Sequence, residues 1–272
     1  MQTQVELVRE KDFVTIRLEA PFGKPPTLDI SVLEDMGLAL TSLESRSPKA
    51  VVLASASEKY FCVGANVSAL KDLNRDNIAA WLELGHRVFN QIEDLPCPVF
   101  AKVDGYAMGG GLELALASDC IISTPHATFA QSEATLGFVP GWGGTFRLAD
   151  KIGAARAKEL FFSSRHIRGD EAYAIGLVDL LAEAGSLDER LDELLRAVEG
   201  NSACACRNFK TMVNAHRSFG RRASLESEVA ASERCLDSPD TKQRVQAFLN
   251  RKRTRAGSLA ASHQGGGQPL VA

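Results

Sequence analysis

Two glutamates twenty residues apart, Glu113 and Glu133, each stand beside glycine-rich sequence. Glu113 closes the stretch Gly109-Gly110-Gly111-Leu112-Glu113. Glu133 lies in Gln131-Ser132-Glu133-Ala134, ahead of Pro140-Gly141-Trp142-Gly143-Gly144. Paired carboxylates can divide a proton-transfer task, and glycine amides can approach a substrate oxygen unshielded by side chains. The combination points to chemistry beside a carbonyl. A thioester transformed at its α and β carbons develops negative charge on its oxygen, and two convergent N–H donors would stabilise that charge. Losing one such donor typically costs about 3–4 kcal/mol.

Gly109, Gly110 and Gly111 can supply one donor, and Gly64-Ala65-Asn66 another. Each turn precedes a helix, where amides are unpaired and the helix dipole favours an anion. Taken singly, either turn could serve only tight backbone geometry, and Glu133 could be an ordinary exposed loop acid. Glu113 could be a capping or surface residue. Its neighbours Leu112, Leu114 and Ala115 predict at least partial burial instead, and desolvation lifts a carboxyl pKa toward the range useful for acid–base work. Tyr106, Met108, Phe138, Trp142 and the helix over 77–93 are candidates for an acyl pocket, with core packing the alternative for each.

The elements that must hold these groups alternate between strands and helices. Residues 4–8 and 13–18 alternate as paired strands around Lys11-Asp12. Asp29 or Ser31 can cap a helix carrying Val32, Leu33, Met36, Leu40 and Leu43. Ala50–Ala54 and Val99–Val103 read as buried strands. Phe61–Leu70 turns through a glycine bend into a helix, and residues 77–93 form an amphipathic helix stopped by Pro96 and Pro98. Short strands are expected at Ile121–Ser123 and Thr128–Ala130, which makes the fold class α/β. Further on, helices are expected at Ala154–Ser163 and Gly169–Ile175, then an extended segment at 176–179. Helices follow at about 186–198, 201–217, 224–235 and 239–252. The tail from Thr254 has almost nothing large to bury, which predicts disorder, and Arg251, Lys252, Arg253 and Arg255 cluster just before and within it.

A chain of 272 residues, 45% hydrophobic and 24% charged, suits a soluble globular protein of one large domain, with or without a small appendage. The net charge of -3 argues against broad nucleic-acid or membrane-surface binding. Charged residues interrupt the N-terminus at once, so a cytoplasmic protein is expected. The six cysteines and five histidines show no ligand spacing, and neither a metal site nor a disulfide framework is expected.

The chain resembles the crotonase superfamily and, within it, the enoyl-CoA hydratases, from about residue 5 to 253. The resemblance is carried by Phe61-Cys62-Val63-Gly64-Ala65-Asn66-Val67, by Gly105 to Asp119 and by Phe129 to Arg147. It implies a thioester oxygen held between the amides of Ala65 and Gly110, with Gly64, Asn66, Val67 and Gly109 beside the coenzyme A thioester. Glu113 and Glu133 match the two catalytic glutamates, Glu113 orienting and activating water and Glu133 protonating the α carbon. Coenzyme A belongs to the substrate, so no separate cofactor is implied. The fold implied is a spiral of ββα turns over residues 1–200, with helices over 201–253 that build a homo-trimer or hexamer, followed by the tail at 254–272.

Both acids favour reversible hydration of a 2-enoyl thioester. The alternatives are double-bond isomerisation, decarboxylation or dehydration of an unusual coenzyme A or carrier-protein thioester, and a non-catalytic binding subunit. Three departures bear on substrate. Asn66 replaces the usual aspartate, and a local capping effect is expected. Ser132 replaces a proline, which relaxes a constraint on Glu133. Pro25-Pro26-Thr27-Leu28-Asp29 replaces an asparagine- and leucine-containing motif near the coenzyme.

Overall fold

The structure is a computed structural model that describes residues 2–44, 47–247 and 250. The tail from Thr254 and the basic residues Arg251, Lys252, Arg253 and Arg255 lie outside them. The chain divides into two compact units, Met1–Asn201 and a second that begins at Ser202.

The first unit opens with β1 (Gln4–Glu10) and β2 (Phe13–Glu19), paired antiparallel around a turn in which Lys11 takes φ 40. Helix α1 (Ile30–Glu44) follows. Asp29 is its cap, the Oδ1 accepting from the Val32 amide at 3.1 Å. The chain then repeats one unit. Strand β3 (Ala50–Ser55) is followed by β4 (Tyr60–Cys62) and helices α2 (Val67–Leu70) and α3 (Ile78–Asp94). Next come β5 (Val99–Val103), β6 (Tyr106–Met108) and α4 (Gly110–Leu116). Then follow β7 (Cys120–Ser123), β8 (Thr128–Ala130), a 3-10 turn at Glu133–Leu136 and α5 (Gly144–Ile152).

In each repeat the first strand joins one sheet and the second joins another. The larger sheet runs β1-β2-β3-β5-β7-β10 and the smaller β4-β6-β8-β9. Here β9 is Ile167–Arg168 and β10 is Leu180–Leu181. This is the expected spiral of ββα turns, and within it β3, β5 and β7, like β4, β6 and β8, are parallel. Parallel strands covered on both faces read as unbroken apolar runs. Strand β3 shows why: Val51 and Leu53 enter the main core, whereas Val52 and Ala54 pack with Phe100, Leu191 and Leu195. The last two belong to α8 (Leu187–Gly200), which covers that second face.

Helices α1, α3 and α6 (Ala154–Ser163) lie where their periodicity places them. Several elements of the first unit differ from expectation. Strand β6 lies within what reads as a glycine turn, and α5 starts inside the glycine cluster at 143–144. A three-residue strand shows no period, and paired glycines look like a loop until packing decides otherwise. After α7 (Gly169–Ala174) the extended pairing falls at Leu180–Leu181 rather than 176–179.

In the second unit one helical run, α9 (Ala203–Asp237), replaces the two helices expected at 201–217 and 224–235. It is not a straight rod. The Arg234 Nε donates to Asn208 Oδ1 at 2.8 Å across 26 positions, which would span about 39 Å in a straight helix. The run therefore folds back, leaving two antiparallel arms. A further helix covers 239–247.

Candidate active site

Strands β4, β6 and β8 are parallel neighbours, so their C-terminal ends share one edge of the smaller sheet. From that edge come Gly64-Ala65-Asn66 after β4, Gly109-Gly110 after β6, and Gln131 to Glu133 after β8. Segments distant in sequence thus converge because three strand ends are in step.

The first turn is braced from behind. Val63 donates to the Pro26 carbonyl at 3.0 Å, Leu28 donates to Gly64 at 2.8 Å and Asn66 donates to Leu28 at 3.2 Å. This parallel bridge between Leu28 and Ala65 uses the Gly64 carbonyl and the Asn66 N–H, and because a trans peptide sets N–H opposite C=O, the Ala65 N–H faces the other way. The replaced motif at Pro25–Asp29 therefore has a structural task that its sequence did not reveal. Asn66 caps α2 as expected, its Oδ1 accepting from the Ser68 amide at 3.1 Å.

Gly64 adopts φ +87, and a side chain there would lie 2.8 Å from the Gly110 nitrogen. The two turns are in contact through a space that admits only hydrogen. Gly109, at φ 50 and ψ -123, donates to the Ala130 carbonyl at 2.9 Å, which turns the next amide away from the sheet. Among the described residues neither the Ala65 nor the Gly110 amide donates a hydrogen bond. Two unused donors thus lie in adjoining turns at one edge of the smaller sheet.

Glu113 lies in the first turn of α4 and is buried, with 2% exposure. Its Oε1 accepts from the amides of Trp142 at 2.8 Å and Gly144 at 2.7 Å. Desolvation nonetheless pushes its pKa up to about 7; the Gly144 amide opposes the rise, the field of Glu133 adds to it, and the Trp142 amide opposes it. Glu133 is half-buried. Burial raises its pKa too, against its own backbone amide and the Gln131 side chain. Gln131 Nε2 donates to Glu133 Oε1 at 2.7 Å, while Glu133 Oε2 is buried with no partner among the described residues. A side chain at Gly109 would come within 3.2 Å of Glu133 Oε1, which sets this carboxylate against the second turn.

The four expected pocket residues separate. Tyr106 and Met108 are half-buried on one face of β6, with Tyr106 against the ring of Tyr60, and Phe138 is 37% exposed. Trp142 is corrected from pocket wall to core, because only 1% of it is exposed. Its indole lies between Gly85 of α3 and Gly110, beside Trp81 and Phe89, where a side chain at Gly110 would approach to 2.7 Å. It supports the second turn from beneath. An apolar cavity of about 250 Å³ shares Gln131 and Gly144 with the site and is walled by Pro140, Leu148, Ala157 and Phe161. Its far wall comes from α6, which no local motif marks as functional.

Val67, the first residue of α2, follows the first turn and is 58% exposed. No group of three metal-ligating side chains occurs among the described residues, and none of their helices is long and apolar enough to cross a membrane.

The sequence of the enoyl-CoA hydratase/isomerase family matches residues 10–256. A short-chain-enoyl-CoA hydratase from Clostridium acetobutylicum is 34% identical over 227 residues, covering 83% of this chain and 87% of the relative. Among solved structures, an enoyl-CoA hydratase from Bacillus anthracis superimposes with a TM-score of 0.85 at 30% identity. That match covers 92% of this chain and 97% of the other. An enoyl-CoA hydratase from Polaromonas sp. JS666 gives a TM-score of 0.84 at 25% identity, covering 91% and 97%.

Proposed function

The chain belongs to the enoyl-CoA hydratase/isomerase family, the crotonase superfamily, and from that membership we propose that it adds water reversibly across the double bond of a 2-enoyl-CoA. The observation that carries this reading is the placement of two desolvated carboxyls, Glu113 and Glu133, at the same sheet edge as two unused amides.

In the hydration direction the thioester oxygen sits between the N–H groups of Ala65 and Gly110. As water adds, negative charge moves from the β carbon through the α carbon onto that oxygen, where fixed donors stabilise it. Glu113, locked by Trp142 and Gly144, orients the water whose oxygen bonds to the β carbon. Glu133 delivers a proton to the α carbon through its unpartnered oxygen, and the proton released by water restores the pair. The elements of one water are consumed and no redox step occurs. Two coupled carboxyls sharing a proton titrate as a pair, so the productive state holds one proton between them.

Gly64, Asn66, Val67 and Gly109 shape the rim that receives the thioester, and coenzyme A enters and leaves with the substrate. Tyr106, Met108 and Phe138 line the approach. Leu136, Val139, Phe146 and Phe162 are exposed apolar side chains, and their burial against further copies would suit a homo-trimer or hexamer. Light scattering on the purified protein should give a mass of three or six chains, and a monomer would contradict it.

The deciding assay follows loss of the conjugated absorbance of crotonyl-CoA and longer 2-enoyl-CoA thioesters, in parallel with 3-enoyl-CoA substrates. Hydration of the former supports the proposal. Conversion of a 3-enoyl-CoA without water addition to any 2-enoyl-CoA would replace it with isomerisation.

A further inference from the structure

Arg147 lies one turn into α5, 4% exposed, and touches none of the groups assigned to substrate. Four of its five N–H groups are engaged. Nη1 donates to the Trp142 carbonyl at 2.9 Å, Nη2 to Asn90 Oδ1 at 2.7 Å, and Nη2 and Nε to Glu93 Oε2 at 2.8 and 3.1 Å. Asn90 and Glu93 both belong to α3, so the arginine anchors the 142–144 stretch to a long helix.

That stretch has two sides. Its amides, from Trp142 and Gly144, hold Glu113 Oε1, and its Trp142 carbonyl is held by Arg147. Gly143, at φ +100, lies directly over the guanidinium, where any side chain would overlap Arg147 Nη1. The loop is pinned from below by a rigid fork and grips the carboxylate above.

We propose that Arg147 is a positioning residue, fixing the Glu113 carboxylate through the Trp142 peptide and tying it to α3. A buried ion pair is a poor way to gain stability, since apolar residues of similar volume commonly serve as well or better. What the guanidinium supplies is direction: a planar fork aims separate N–H bonds at the carbonyl, the amide and the carboxylate together. Misplacing a reacting group by about 1 Å can cost about 100-fold in rate. The inference rests on the reading of Glu113 as the group that orients water. The charged group facing Glu113 is Glu133, whose field acts in the variants as in the wild type.

The test compares Arg147→Met, Arg147→Lys and the double variant Glu93→Gln/Arg147→Met, which removes both charges so that neither is left buried alone. Two readouts are needed: kcat and KM for a 2-enoyl-CoA, and infrared titration of the Glu113 carboxyl, isolated by subtracting the matching Glu113→Gln protein. The expected result for Arg147→Met is a kcat lower by about 10- to 100-fold with KM within about threefold. The Glu113 carboxyl should titrate at higher pH, because a slackened loop donates less to the carboxylate. Arg147→Lys should recover part of both. An unchanged Glu113 titration and kcat in folded Arg147→Met, or in the double variant where the single one does not fold, overturns the proposal and leaves Arg147 a brace of the fold. If the wild type hydrates no 2-enoyl-CoA, the hydratase reading fails, and the infrared arm still decides the role of Arg147.

Discussion

Replacing Glu113 by Gln separates the cost of a buried charge from its use. Burial raises the Glu113 pKa from 4.5 to about 7 even though Gly144 and Trp142 donate to it. The folded protein therefore holds this proton more tightly than the unfolded chain does. The resulting stabilisation is complete below about pH 4.5 and is lost as the pH rises through about 7. Moving one carboxyl pKa that far corresponds to about 3 kcal/mol. Glutamine carries no titrating proton, and its amide oxygen can still accept from both backbone amides. Glu113→Gln should therefore gain on the wild type by about 3 kcal/mol between pH 4.5 and pH 8, or roughly 6–12 °C in Tm for a domain of this size. Glu133 titrates in both proteins, so its share largely cancels. Urea unfolding at a fixed protein concentration across that pH range measures the difference. A difference that stays flat would refute the argument that the site carries a desolvated charge. The same variant should lose about 100-fold or more in kcat, and near-wild-type turnover would remove Glu113 from the mechanism.

Gly64→Ala forces a side chain between the two turns, 2.8 Å from the Gly110 nitrogen and at φ +87. It should lower kcat by about 100-fold or more, as loss of an oxyanion donor does, and a change under about fivefold would show that these amides do not meet at one oxygen. Gln131→Met removes the donor that favours ionised Glu133, so the Glu133 pKa rises and the corresponding limb of the pair's pH–rate profile should move to higher pH. An unmoved limb would mean that another group titrates there. Asn66→Ala loses the α2 cap at the thioester rim, costing about 1 kcal/mol in urea unfolding, with any effect on turnover carried by KM and kcat within about twofold. A large loss of activity would instead give the Asn66 side chain a part in the chemistry.

Much of the site was legible because its parts are local. Asp29, Asn66 and the glycines of each turn act on their own neighbours, and the stripes of α1 and α3 repeat often enough to declare a helix. The Leu28 bridge to Ala65, the fork of Arg147 and the bond from Gln131 to Glu133 were not legible in the same way. The first two join segments separated by dozens of residues. The third depends on a strand ending that aims two neighbouring side chains into the same buried space.

Trp142 makes the division plain. As a large aromatic beside two glycines it suits a pocket wall, and only the approach of Gly85 and Gly110 from two helices turns it into core. By itself the sequence determined which backbone turns could offer bare amides, which residues could carry protons, and that strands and helices would alternate around them. Tertiary structure alone decided that β4, β6 and β8 end in step, which amides were left unused, and how far each carboxyl was withdrawn from water. Those are properties of what surrounds a group, and no residue carries its own surroundings.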